Sequence, residues 1–150
     1  GATVRRGQPM TRWRPAICLL LWTAGAVLAQ PASPEAAVRA NLDAFNRHDV
    51  EALVATVAPD FAWFNIDGEK LLPDTRGRDA LRKGMAAYFK SLPSARSGFE
   101  SLTVNGAFVS VKERASWNNK AGEPRSQVAL AVYEVRDGLI LRVWYFPAEK

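Results

Sequence analysis

The sequence predicts an α+β domain, helices first and an antiparallel sheet last, and three observations carry that prediction. Apolar residues recur at helical spacing in three stretches between residues 34 and 92. From Phe99 the pattern switches to period two. Two dipeptides, Asn105-Gly106 and Asp137-Gly138, separate runs rich in Val, Leu, Ile and aromatic residues, and such pairs tolerate the positive φ of a tight hairpin turn. Segregated helices and antiparallel strands are the α+β pattern. At 150 residues the chain has room for one domain with a proper core.

The N-terminal segment has a different composition. Residues 1–9 read as sequence added for expression or as a misassigned start. Met10 then opens Thr11-Arg12-Trp13-Arg14, a positive n-region, followed by an apolar h-region over residues 16–29. Val27-Leu28-Ala29 places small residues before Gln30, where a signal peptidase reads them. Fourteen helical residues rise about 21 Å, short of the ~30 Å core of a bilayer, so a cleaved export signal is preferred to a retained span. The expected mature chain is residues 30–150, periplasmic or secreted and free of the membrane after cleavage. Cys18, the only cysteine, lies in the h-region without the small-residue pattern of a lipoprotein site, so the mature chain carries no thiol.

The formal charge of +5 would suggest a nucleic-acid partner if it belonged to the folded part. It does not: Arg5, Arg6, Arg12 and Arg14 precede the first acid, Glu35, and leave 16 Lys and Arg against 15 Asp and Glu. Nucleic acid is therefore excluded as a partner.

The elements follow in order. Ser33-Pro34-Glu35 reads as a helix start, with Ser as N-cap, Pro at the first helical position and an acid favoured by the helix dipole. Val38, Leu42 and Phe45 follow at helical spacing with Asn41 beside them, and this helix should end between Asn46 and His48. Asp49 caps a second, shorter helix carrying Val50, Leu53, Val54 and Val57, which Pro59 stops. Residues 61–66 read as a strand ended by Asp67-Gly68, and residues 71–77 as a loop with Asp74 and Arg76 in solvent. Asp79 opens a third helix with Leu81, Met85, Tyr88 and Phe89, ending near Pro93. Four strands in a meander complete the chain. In the second, Val109, Val111, Ala115 and Trp117 alternate with polar residues, leaving Glu113 the one charge on an apolar side. The last two strands, around Asp137-Gly138, are apolar at nearly every position. Both faces should be covered, one by helices and the other by a partner chain.

Several stretches together resemble a known superfamily: Ala44-Phe45-Asn46-Arg47-His48-Asp49, Glu51-Ala52-Leu53, Ala58-Pro59-Asp60-Phe61, Arg76-Gly77-Arg78-Asp79-Ala80-Leu81 and Arg136-Asp137-Gly138-Leu139-Ile140. The chain is similar here to the SnoaL-like, nuclear transport factor two-like group that includes ketosteroid isomerase and scytalone dehydratase. The resemblance implies a strongly curved antiparallel sheet wrapped round three helices, a cone with an apolar pocket open at one end, and dimers through the outer sheet face. It covers nearly all of the mature chain, but its residues are turns, caps and core positions, which mark a fold more than an activity. Aligned with the isomerase, whose chemistry is a worked example of tuned acids, the helical tyrosine falls at Asn41, the base at Asn65 and the oxyanion-hole acid at Ala131. Asn accepts no proton near neutral pH, so the residues argue against a ketosteroid isomerase.

With alternate residues facing inward as in that superfamily, the pocket would be lined by Asn41, Trp63, Asn65, Tyr88, Trp117, Tyr133 and Tyr145 as ligand contacts, along with Phe45, Val111, Ala115, Ala129, Ala131 and Val143. Glu113 and Tyr133 are the candidate acid–base groups. An acid facing a cavity is suited to proton transfer, whereas at a bulge or sheet edge Glu113 would turn to solvent near Lys112 or Arg114. His48, the only histidine, reads as a solvated turn residue. No metal-ligand spacing, phosphate loop or nucleophile elbow is present, so no metal or cofactor is expected. Leu130, Val132, Arg142, Trp144 and Phe146 share the opposite face, a stripe suited to a homodimer interface. Three functions stay open: an exported binding protein for a small apolar or cyclic ligand; an isomerase, cyclase or dehydratase using Glu113 or Tyr133; and a structural or partner-binding dimer.

Overall fold

A computed structural model describes residues 29–149. The expected export signal and the start before it lie, but for Ala29, outside the described residues. The elements are α1 (Pro34–Asn46), α2 (Val50–Ala55), β1 (Val57–Asp67), β2 (Lys70–Arg76), α3 (Gly77–Ser91), β3 (Arg96–Asn105), β4 (Phe108–Asn118), β5 (Pro124–Arg136) and β6 (Leu139–Tyr145). Six strands form one strongly curved, unclosed sheet in the order β2-β1-β6-β5-β4-β3. Among the described residues no helix is long and apolar enough to cross a membrane.

Local chemistry accounts for most boundaries. Ser33 Oγ accepts from the Ala36 N–H at 3.1 Å and Pro34 occupies the first helical position of α1. Asp49 Oδ1 does the same for α2, accepting from Ala52 N–H at 3.0 Å. Between β5 and β6, Asp137 has φ 52° and Gly138 φ 77°, the two positive values that a two-residue primed turn needs. Gly138 is required twice, because a Cβ there would lie 2.8 Å from the backbone nitrogen of Ala32.

Three expectations are corrected. Residues 71–77, read as a loop, lie mostly in β2, which pairs with β1 from Asp67↔Lys70 to Ala62↔Arg76. This strand is an edge, nearly every residue is exposed, and Pro73 sits in it, so neither alternation nor composition marks it. The sheet is not wholly antiparallel, because β1 runs parallel to β6. The second helix stops at Ala55, and Pro59 lies instead within β1, where the pairing jumps from Val57↔Ile140 to Ala62↔Arg142 and leaves it out of the ladder.

Helix α1 lies against β3 to β6, and α3 against β1 and β2. The concave side holds the core, with Val38, Val57, Val109 and Ile140 fully buried. On the convex side Phe64 stacks on Trp144 with ring centres 6.1 Å apart, and the Arg76 guanidinium lies 5.3 Å above the Phe64 ring.

Candidate functional site

The concave face is not filled along its whole length. On β4 the inward residues run Val109, Val111, Glu113 and Ala115, and their partners on β5 are Tyr133, Ala131, Ala129 and Gln127. The first two pairs are core. At the next two, the small Ala129 and Ala115 leave a cavity of about 390 Å³ that α1, β1, α3, β3 and β6 help to wall. Asn41, Trp63, Asn65, Tyr88, Tyr133 and Tyr145 all line it, as does Glu113. Seven of the eight sequence-predicted site residues therefore meet. Trp117 does not: the alternation holds, but it lies opposite Arg125, one pair beyond Ala115, and no longer borders the cavity. Val111 and Ala131 are buried core instead of lining.

Glu113 faces inward, and its two carboxylate oxygens are engaged separately. Oε1 accepts from the Ser97 hydroxyl, while Oε2 accepts from the Tyr145 hydroxyl at 2.6 Å. The Tyr145 oxygen in turn lies 3.0 Å from the Tyr133 oxygen. The two residues singled out as acid–base candidates are thus joined through a third. Ser97 is itself clamped: Asn46, the last residue of α1, donates to the Ser97 carbonyl at 2.9 Å and accepts from its N–H at 2.8 Å.

The electrostatics are one-sided. Among the described residues no Lys, Arg or His lines the cavity, and Glu113 is its only carboxylate. Burial pushes the Tyr133 and Tyr145 phenols well above their ordinary range, and the nearby Glu113 charge adds to both shifts. Tyr88 is raised by the same two causes in the same order. Trp63 stacks on Tyr145 at 5.1 Å, and its indole nitrogen is buried without a hydrogen-bond partner among the described residues. Asn41 spends its amide N–H on Thr56 Oγ1 at 2.8 Å.

Sequence reasoning missed Ser97 and Gln127, although period two could have found both. Counting back two from Phe99 reaches Ser97, and two from Ala129 reaches Gln127. Phe146 is a correction. Its N–H still bonds Leu130 O at 2.9 Å, but the next bridge is Val128 with Glu149, so residues 147–148 bulge and Phe146 lines the cavity mouth rather than the outer face alone. Arg142 remains outside and pairs with Glu134 on the neighbouring strand. His48 is corrected too. It is half-buried, stacked on Phe89 at 4.2 Å, with Nε2 2.8 Å from Ala95 O.

A curved, half-filled α+β sheet with a few polar groups in a largely apolar cavity defines the class of small pocket domains built as cones. A family model described as a SnoaL-like domain matches residues 38–143. The chain belongs to that family. Among solved structures it is similar to IdmH of Streptomyces antibioticus, a candidate polyketide cyclase, at 22% identity over 78% of this chain and 92% of that one, with a TM-score of 0.66. A cystatin-fold protein from Novosphingobium aromaticivorans matches at 22% identity over 77% and 98%, TM-score 0.64. TerC, co-crystallised with polyporic acid, matches at 20% over 75% and 90%, TM-score 0.65. No curated protein matches. At these identities the likeness carries the fold.

Proposed function

We propose that the chain is an exported binding protein whose cavity takes one small, largely apolar, ring-bearing ligand, with the ligand's polar end at Glu113, Tyr145 and Tyr133. One observation carries the reading: a cavity of about 390 Å³, walled mostly by apolar and aromatic side chains, holds a hydrogen-bonded polar cluster of Glu113, Tyr145 and Tyr133. Its size falls in the range of roughly 300–1,000 Å³ usual for small-molecule sites. Export rests on the composition of residues 10–29. Association of two copies through the outer faces of β5 and β6 is supported by Leu130, 57% exposed between the strands' aromatic and basic residues. Sedimentation should show a dimer that Leu130→Asp dissociates.

Native mass spectrometry of the purified protein tests the binding reading first, by showing a ligand carried through purification. Calorimetry with 1-naphthol as a ring probe follows, in the wild type and in Ala129→Leu, which fills the cavity. Uptake by the wild type that is lost in the variant supports the proposal. Uptake that the variant leaves intact, or none in either protein, sinks it.

A second reading, acid–base catalysis of the isomerase, cyclase or dehydratase kind, is favoured by the hydroxyl chain. With Glu113 ionised, Tyr133 donates to Tyr145 and Tyr145 to Glu113. With Glu113 protonated, each O–H can turn the other way, and Tyr133 then presents its proton to a ligand oxygen. A proton that enters at Glu113 leaves at Tyr133, and no heavy atom has to move. Replacing Glu113 with Gln should abolish such turnover; unchanged turnover would exclude the relay.

A further inference from the structure

The charge inventory of the cavity leads further than its shape, on the binding reading just given. Among the described residues Glu113 is the only carboxylate that lines it, and no lining side chain is basic. Among the described residues the ion pairs fall elsewhere, as at Arg82 with Glu51 and Asp79 or Lys112 and Arg114 with Glu100, and none takes in Glu113. Lys112 and Arg114 flank Glu113 in sequence but alternate to the other face of β4, where Glu100 holds them. A carboxylate that accepts from two hydroxyls in an apolar cavity, with no cation beside it among the described residues, lacks a counter-ion.

The rings supply the second half of the argument. Trp63, Tyr133 and Tyr145 stand on the sheet wall, Phe45 and Tyr88 on the helical wall, and Phe99 on β3 directly opposite Glu113 in the ladder. Aromatic faces attract an organic cation through their quadrupole, more strongly when it is desolvated, and cages of such rings are a known recognition device for alkylated ammonium groups. A quaternary nitrogen carries no N–H and needs no hydrogen-bond acceptor. It can therefore neutralise Glu113 without displacing Ser97 or Tyr145, whereas a neutral polar ligand must compete with those hydroxyls for the carboxylate.

We propose that this cavity selects a small organic cation, a ring-bearing quaternary ammonium, over a neutral molecule of the same shape, with Glu113 as counter-ion and the aromatic walls as the cage. The test uses an isosteric pair, phenyltrimethylammonium and tert-butylbenzene, which differ in one atom and one charge. Their binding to the wild-type protein and to Glu113→Gln would be measured by calorimetry at low ionic strength.

The wild type should bind the cation at least about tenfold more tightly than the hydrocarbon. Glu113→Gln should remove most of that preference, with the loss falling on the cation. Equal or tighter binding of tert-butylbenzene by the wild type overturns the cation proposal and leaves the ligand-binding reading standing. A preference for the cation that survives in Glu113→Gln overturns the role given to the carboxylate. Binding of neither probe overturns both readings. The wild-type comparison stands whether or not the variant folds.

Discussion

The two ends of the β4–β5 ladder share one curvature, one pairing register and one helix packed against them, yet one end is solid and the other hollow. At the solid end Val109 and Val111 meet the backbone of Tyr133 and Ala131, and Val109 and Ala131 are completely buried, while the Tyr133 hydroxyl reaches across into the hollow end. At the hollow end Glu113 and Ala115 meet Ala129 and Gln127 and border the cavity. Backbone geometry does not separate them, because the register is unbroken from Phe108↔Glu134 to Asn118↔Pro124. Side-chain volume does. The solid end is held by packing and the hollow end by hydrogen bonds, and the predictions below use that difference.

The largest effect is expected at the solid end. Val109→Ala removes two buried methyl groups from a site that cannot collapse and should cost about 2–3 kcal/mol in urea unfolding. It should leave binding of a ring probe within about twofold of the parent, since Val109 does not line the cavity. A large loss of binding would show that the two ends are not separable.

The next effect belongs to the hollow end. Asn46→Ala deletes both hydrogen bonds to the Ser97 backbone and leaves a half-buried N–H and C=O without partners, a loss of about 1–2 kcal/mol. It should also free Ser97 from Glu113, so probe binding weakens here although Asn46 touches no ligand. Binding that follows stability alone would make Asn46 a brace for the fold and nothing more.

Filling the hollow end should be nearly free. Ala129→Leu adds apolar volume to an existing cavity, so stability should stay within about 1 kcal/mol of the parent while ring-probe binding is lost. A penalty above about 2 kcal/mol would mean that the space is not there in solution.

The same division decides what the sequence made legible. The Asp137-Gly138 turn, both N-caps and the alternation of β4 follow from local chemistry, and all were readable. The direction of Glu113 was not, because it depends on Ser97 and Tyr145, which reach it from β3 and β6. Edge strand β2 carries no pattern because neither of its faces is buried. The parallel pairing of β1 with β6 joins residues about eighty positions apart, and no local signal reports it. The place of His48 is fixed by a ring stack with Phe89, forty-one residues on. Trp117 shows the opposite failure: a correct alternation says which face a residue takes, but not where along that face the cavity ends.

The smallest expected effect separates burial from charge inside the hollow end. Tyr133 and Tyr145 are raised above the ordinary phenol value of 10.0 first by burial; the Glu113 charge comes next at Tyr133, and at Tyr145 it follows the neighbouring Tyr133. Glu113→Gln removes the Glu113 contribution to both and keeps the burial. In an ultraviolet titration the two buried phenols of the variant should ionise at lower pH than those of the wild type, yet still above exposed tyrosine. The sign for stability follows from linkage. A phenol whose folded pKa is raised contributes stability that is complete below the unfolded value and is lost as pH climbs through the folded one. Wild-type stability should therefore start to fall near pH 10.0 and keep falling until the folded phenols titrate. In Glu113→Gln the decline should begin at the same pH and stop sooner, because the folded value has moved toward the unfolded one. Identical curves for the two proteins would mean that the Glu113 charge does not reach the phenols, and the hollow end would then be governed by burial alone, as the solid end is.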